Sequence, residues 1–177
     1  MDKKTIAIIG CGIDVVYPKE NQINYYEIEI PKNFDKTVLI LGVMHGEEPQ
    51  GEVLIKKYLE ICDATKIKNK LVFVPCINSW GKEHNVRQNK NGVDLNRNYP
   101  TQNWKLTEKN EYFGGESPAS ENETKFLIDL IKSTKPDFIL SLHAPFRVVN
   151  YDGPAKKVAQ KIAELTSYPI QADIGYP

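Results

Sequence analysis

Thr37-Val38-Leu39-Ile40-Leu41-Gly42-Val43-Met44-His45-Gly46-Glu47-Glu48 is the stretch whose reading decides the fold. Its first part is an unbroken apolar run of strand length, rich in Val, Ile and Leu, the composition of a strand buried on both faces. A glycine follows, and a helical pattern then runs from about residue 48 to residue 61. A two-sided buried strand that feeds a helix through a short turn belongs to a layered α/β protein.

Outward from this stretch the alternation continues. Further strands are expected at 5–9, 25–30, 71–74 and 138–142, and a helix at 120–133. Pro118 and the Ser120/Glu123 capping-box spacing start that helix, Phe126, Leu127, Leu130 and Ile131 form its apolar face, and Pro136 stops it. Another helix is expected at 155–165, with Val158, Ile162 and Leu165 on one side. Residues 78–115 are rich in Asn, Gly and charge with little periodicity, so they read as long loops over the sheet, where function often resides. The 177 residues fit one domain, in which 1–35 contributes N-terminal strands. Lys plus Arg and Asp plus Glu each number 23, which leaves no electrostatic case for nucleic acid or an anionic membrane. No apolar run approaches the roughly 18 residues of a membrane span, and the N-terminus lacks a signal-peptide pattern, so the expectation is a cytoplasmic protein. Cys11, Cys62 and Cys76 show no CxxC spacing and read as reduced thiols.

Two of the three histidines stand immediately after expected buried strands, where open α/β sheets carry their sites. His45 and Glu48 are three apart across a strand-to-helix turn, a spacing that lets an imidazole and a carboxylate converge on one ion. His143 follows Phe138-Ile139-Leu140-Ser141-Leu142, and Ala144 and Pro145 end the strand beyond it. Two histidines and a glutamate with an open fourth position form a catalytic zinc arrangement. His84 has no such context and reads as a loop histidine.

The segment Arg87-Gln88-Asn89-Lys90-Asn91-Gly92-Val93-Asp94-Leu95-Asn96-Arg97-Asn98-Tyr99-Pro100 makes the pattern specific. An HxxE after a strand, an Asn-Arg pair in a GVDLNRN loop and a later lone His after another strand resemble, in that order, the zinc carboxypeptidase family. The MHGEEPQG, GVDLNRNYP and SLHAP stretches, with Phe113-Gly114-Gly115-Glu116-Ser117-Pro118-Ala119-Ser120-Glu121-Asn122-Glu123-Thr124, are similar to its bacterial murein peptide amidase branch. The resemblance covers about 36–177. It implies a three-layer α/β/α fold around a mixed, mostly parallel sheet, and one Zn²⁺ per chain held by His45, Glu48 and His143. It also implies an oxyanion-facing Arg87, and Asn96 and Arg97 on the terminal carboxylate of a peptide substrate. The activity implied is removal of a C-terminal residue, here from a cell-wall peptide at the bond between γ-D-glutamate and diaminopimelate.

Two departures accompany the resemblance. Asn78-Ser79-Trp80-Gly81 stands where the family often has Asn-Pro-Asp-Gly. The family's general-base glutamate and substrate-gripping tyrosine would fall beyond Asp173-Ile174-Gly175-Tyr176-Pro177, and no residue here maps to either, so the expectation is a truncated chain whose uncovered sheet edge favours self-association. A catalytically silent zinc- or peptide-binding remnant of the fold is the alternative. A further competing reading takes Ile6-Ala7-Ile8-Ile9-Gly10-Cys11-Gly12 as the strand and GxG of a nucleotide-binding turn, in a nucleotide- or DNA-binding Rossmann-like protein. Against it stand the absent third glycine and Pro18, which breaks the helix that should receive a phosphate.

Overall fold

The computed structural model describes residues 3–8, 11–16, 23, 25–28, 34–144 and 146–172, the strands before residue 34 through their backbone. The chain divides into two compact units, Met1–His143 and Ala144–Pro177.

The first unit is built on a six-stranded sheet of β1 (Lys3–Ile8), β2 (Cys11–Val16), β3 (Tyr25–Ile28), β4 (Thr37–Leu41), β5 (Lys70–Val74) and β6 (Phe138–Ser141). Their spatial order is β1-β2-β3-β5-β4-β6. β4 lies between β5 and β6 and runs parallel to both, whereas β1, β2, β3 and β5 pair antiparallel, so the sheet is mixed and its parallel part is confined to three strands.

The apolar run of β4 serves two layers, because successive side chains point to opposite faces. Leu39 and Leu41, with Val72 and Val74 of β5, face α3 (Asn122–Thr134) through Leu127 and Leu130. Ile40, with Phe73 of β5, faces α1 (Gln50–Ile61) through Ile55 and Leu59. Helices cover both sides of the central strands, giving the expected three layers. Phe126 and Ile131 lie partly buried beside Leu127 and Leu130, as the helical spacing predicts.

Several expectations change. The strand β2 forms a hairpin with β1, pairing Gly12 with Ala7 and Cys11 with Ile8. A strand therefore occupies the place where a nucleotide-binding turn needs a helix N-terminus, and the GxG reading fails; Gly10 and Pro18 themselves lie outside the described residues, as do Ile9, Glu29, Ile30, Pro145 and Asp173 to Pro177. Within the expected loops, Ser79–His84 forms a short helix, α2. Asn78 caps it by accepting the Gly81 N–H at 2.9 Å, an interaction that apolar periodicity does not report. His84 is thus a helical residue, stacked on Trp80 with ring centroids 4.0 Å apart. The capping box at Ser120 and Glu123 is not formed: Glu121 takes the N-cap position without a side-chain cap. Its carboxylate instead accepts the side-chain N–H groups of Asn89 and Asn91 and the Ser120 hydroxyl.

In the second unit the strands β7 (Val149–Asn150) and β8 (Ile170–Gln171) pair in parallel around α4 (Lys156–Thr166). Ala159 is the buried residue of that helix, while Val158 and Leu165 are exposed, so the expected apolar face is not covered there. Cys62 and Cys76 carry reduced thiols, and burial pushes Cys76 up to about 11, as befits an unreactive side chain.

Candidate metal centre

The loop after β4 leaves the sheet under strain. Val43 is fully buried and holds φ at 49°, a region that β-branched residues rarely enter and that costs about 1–3 kcal/mol. The backbone around it is pinned, with the Ile77 N–H donating to the Gly42 carbonyl at 3.2 Å and the Asn78 N–H to the Val43 carbonyl at 3.0 Å. Gly46 lies against Gly81 of α2 so closely that a Cβ at Gly46 would collide with the Gly81 and Lys82 backbone. This geometry aims His45, 3 % exposed, inward.

His45, Glu48 and His143 come together: one donor atom from each lies within 4.8 Å of the others. Glu48 bridges the two rings, its Oε1 3.1 Å from His45 Nδ1 and its Oε2 3.0 Å from His143 Nδ1. Two imidazoles and a carboxylate are a zinc donor set, and tetrahedral ligands at zinc bond lengths near 2 Å stand about 3.3 Å apart. The three side chains therefore fit the ion. His143 is reached because β6 pairs with β4, with Leu41 beside Ser141, which carries both site-bearing loops to the same end of the sheet.

The other ring nitrogens are held as well. His143 Nε2 lies 2.9 Å from Ser141 Oγ. His45 Nε2 lies 3.2 Å from Asp94 Oδ1, so with Nδ1 turned to an ion Nε2–H donates to a carboxylate, the outer-shell bond that fixes a ligating imidazole. Asp94 is fully buried in the loop the sequence singled out, yet sequence reasoning gave it no role. Its Oδ1 also accepts the Asn96 N–H at 2.9 Å, and its Oδ2 accepts Arg87 Nε–H and Nη2–H, each at 2.8 Å. Burial works against ionisation of Asp94, but the hydrogen bond and charge of His45, followed by those of Arg87, hold the carboxyl below its ordinary value. Burial likewise opposes protonation of His45, while Asp94 and Glu48 outweigh it and raise that pKa.

Arg87 Nη1 comes within 3.4 Å of His45 Nδ1, placing the guanidinium beside one of the three donors. Asn96 and Arg97 lie on the single helical turn Leu95–Arg97 that Asp94 caps, Asn96 exposed and Arg97 half-buried. The far side of this loop is anchored by buried Asn98, which donates to the Gly114 and Ser117 carbonyls and to Ser120 Oγ and accepts the Glu121 N–H.

Comparison with known proteins places this architecture. The zinc carboxypeptidase family (Peptidase M14) matches residues 18–167, and the chain belongs to that family. Murein peptide amidase A of Escherichia coli K12 is 30 % identical over 150 residues, covering 78 % of this chain and 61 % of its own. The Vibrio campbellii protein of the same name is 29 % identical over 167 residues, covering 86 % and 64 %. The chain thus spans about three fifths of the length of these relatives. Among solved structures, murein-tripeptide amidase from Escherichia coli O157 superimposes with a TM-score of 0.70 at 26 % identity, covering 83 % of this chain and 67 % of that one. Carboxypeptidase A from Helicoverpa armigera gives a TM-score of 0.64 at 20 % identity over 82 % and 44 %, a likeness of fold. Among the described residues no helix is long and apolar enough to cross a membrane.

Proposed function

We propose that this chain carries the zinc-holding and carboxylate-recognising part of a metallocarboxypeptidase that removes the C-terminal residue of a peptide. The convergence of His45, Glu48 and His143 beside Arg87 and the Asn96–Arg97 turn supports this reading, together with membership of the family. Zinc bound there supplies polarisation of a scissile carbonyl and acidification of water. Arg87, held by Asp94, offers Nη1 to negative charge developing next to the donors. Arg97 and Asn96 take the free terminal carboxylate, a planar anion suited to a guanidinium fork. Similarity to the murein peptide amidases supports a cell-wall tripeptide as substrate, cut between γ-D-glutamate and diaminopimelate, with recycling of that peptide in the cytoplasm as the setting.

The test is metal analysis followed by hydrolysis. About one zinc per chain is expected in the purified protein, falling sharply in His143→Ala, with only slow release of diaminopimelate from the tripeptide by the loaded form, because no general base, typically worth about 10²–10⁴-fold, maps onto these residues. A metal-free preparation that added zinc does not load sinks the reading. Stoichiometric zinc without any hydrolysis favours the alternative, a silent metal- and peptide-binding form of the fold.

A further inference from the structure

Tyr112 lies outside every role assigned so far. Its ring stands over the Arg87 guanidinium, with Cζ 5.1 Å from the ring centroid, and the residue is 44 % exposed. A guanidinium within about 6 Å of an aromatic face is attracted by the ring quadrupole. This placement is set by the backbone. The Asp94 N–H donates to the Phe113 carbonyl at 2.8 Å, and Gln88 Nε2–H donates to the Asn110 carbonyl at 2.7 Å, so the loop bearing Tyr112 is stitched on either side of it to the loop bearing Arg87. Phe113, 5 % exposed, anchors the next residue in the interior, and the Tyr112 N–H is taken by Asn110 Oδ1 at 2.8 Å.

Arg87 is thereby held in two directions. Asp94 Oδ2 grips the Nε and Nη2 edge, and the guanidinium carbon sits over the Tyr112 ring. Nη1 is the end directed to His45 Nδ1. Asp94 alone leaves the guanidinium able to pivot about its gripped edge, and an aromatic face opposes that pivot.

We propose that Tyr112 is a positioning residue for Arg87, its ring keeping Nη1 aimed at the place where charge develops beside the metal ligands. The proposal rests on the role given to Arg87 above. It requires the π face and not the hydroxyl, so Tyr112→Phe retains the effect, whereas Tyr112→Leu, which keeps bulk and apolar surface, and Tyr112→Ala both lose it.

Two measurements on the zinc-loaded protein decide it. Side-chain ¹⁵N relaxation at Arg87 Nε is expected to show equal order in wild type and Tyr112→Phe, and lower order in the Leu and Ala variants. On the tripeptide, Leu and Ala are expected to lower kcat about two- to fivefold, the fold-change equivalent of an exposed cation–π contact, with little change in KM. In an Arg87→Ala background Tyr112→Ala is expected to add no further loss. Undiminished Arg87 order in both the Leu and Ala variants, or a Tyr112→Phe variant as impaired as Tyr112→Ala, overturns the proposal. If the wild type binds zinc and hydrolyses nothing, the catalytic reading of the site fails, and the relaxation comparison still decides the role of Tyr112.

Discussion

At Asp94 two carboxylate oxygens serve four nitrogen atoms, those of His45, Asn96 and the two on Arg87. Replacing it by Asn keeps the shape but removes the charge. Asp94→Asn is expected to weaken zinc binding about 10–100-fold in competition with a chromophoric chelator, the usual effect of losing an outer-shell partner of a ligating histidine; unchanged affinity removes Asp94 from that role. Arg97 is tested by binding. Arg97→Ala is expected to weaken association with a carboxylate-ended peptide by about 1.5–3 kcal/mol, the scale of a charge-assisted hydrogen bond. Amidating the peptide then costs the wild type much and the variant little, and equal losses in both exclude the pairing. The two histidines and Glu48 were legible as ligand candidates because each stands at or just after a strand end with a workable spacing. Asp94 was not, since an aspartate among Asn and Gly reads as a turn former until the fold brings it to a ring 49 positions earlier in the chain.

At the scale of elements, the loop carrying His45 depends on α2. Gly46 and Gly81 meet backbone to backbone, and Gly46→Ala forces a separation that no side-chain rotation relieves. A loss of about 1–3 kcal/mol in urea unfolding is expected, as for overpacking of a tight interior, accompanied by weaker zinc binding; a variant as stable as wild type shows that the contact is dispensable. The sequence concealed α2 because Ser79-Trp80-Gly81-Lys82-Glu83-His84 has no apolar stripe and a glycine at its centre, and a six-residue helix survives by its cap and its contacts rather than by propensity. The helix α3 was readable for the opposite reason, since Leu127 and Leu130 bury the face that their spacing advertises. Its start was misread because Glu121 and Ser120 are engaged by Asn98, Asn89 and Asn91, partners supplied by a loop distant in sequence.

For the molecule as a whole, Glu121 couples global stability to pH. Burial works to raise its pKa, but hydrogen bonds from Ser120, Asn89 and Asn91 outweigh it and leave the folded value below the ordinary one. A carboxyl whose pKa is lowered by folding contributes stability that is fully present above the unfolded value, about 4.3, and is lost as pH falls through the lower folded value. The gap in melting temperature between wild type and Glu121→Gln is therefore expected to be largest near neutrality and to shrink as pH drops below about 4.3. A gap that stays constant far into the acid range rules this linkage out. The layered plan itself was visible in the runs 37–41 and 71–74, whose alternate residues line two cores. The pairing order of the strands was not, because register and neighbour choice depend on contacts between distant segments.

The parallel pairing of β4 with β6 also sets a timetable. His45 and Glu48 are local to one turn, but His143 joins them only after a strand nearly a hundred residues further along has docked beside β4. Bringing such distant segments together is the slow part of folding, since loop-closure entropy is spent before the contacts form. An ion arriving early meets two of the three candidate ligands. Full coordination thus reports a completed sheet, so metal uptake during refolding should lag behind helix formation, with the ion sealing a scaffold already assembled rather than nucleating it.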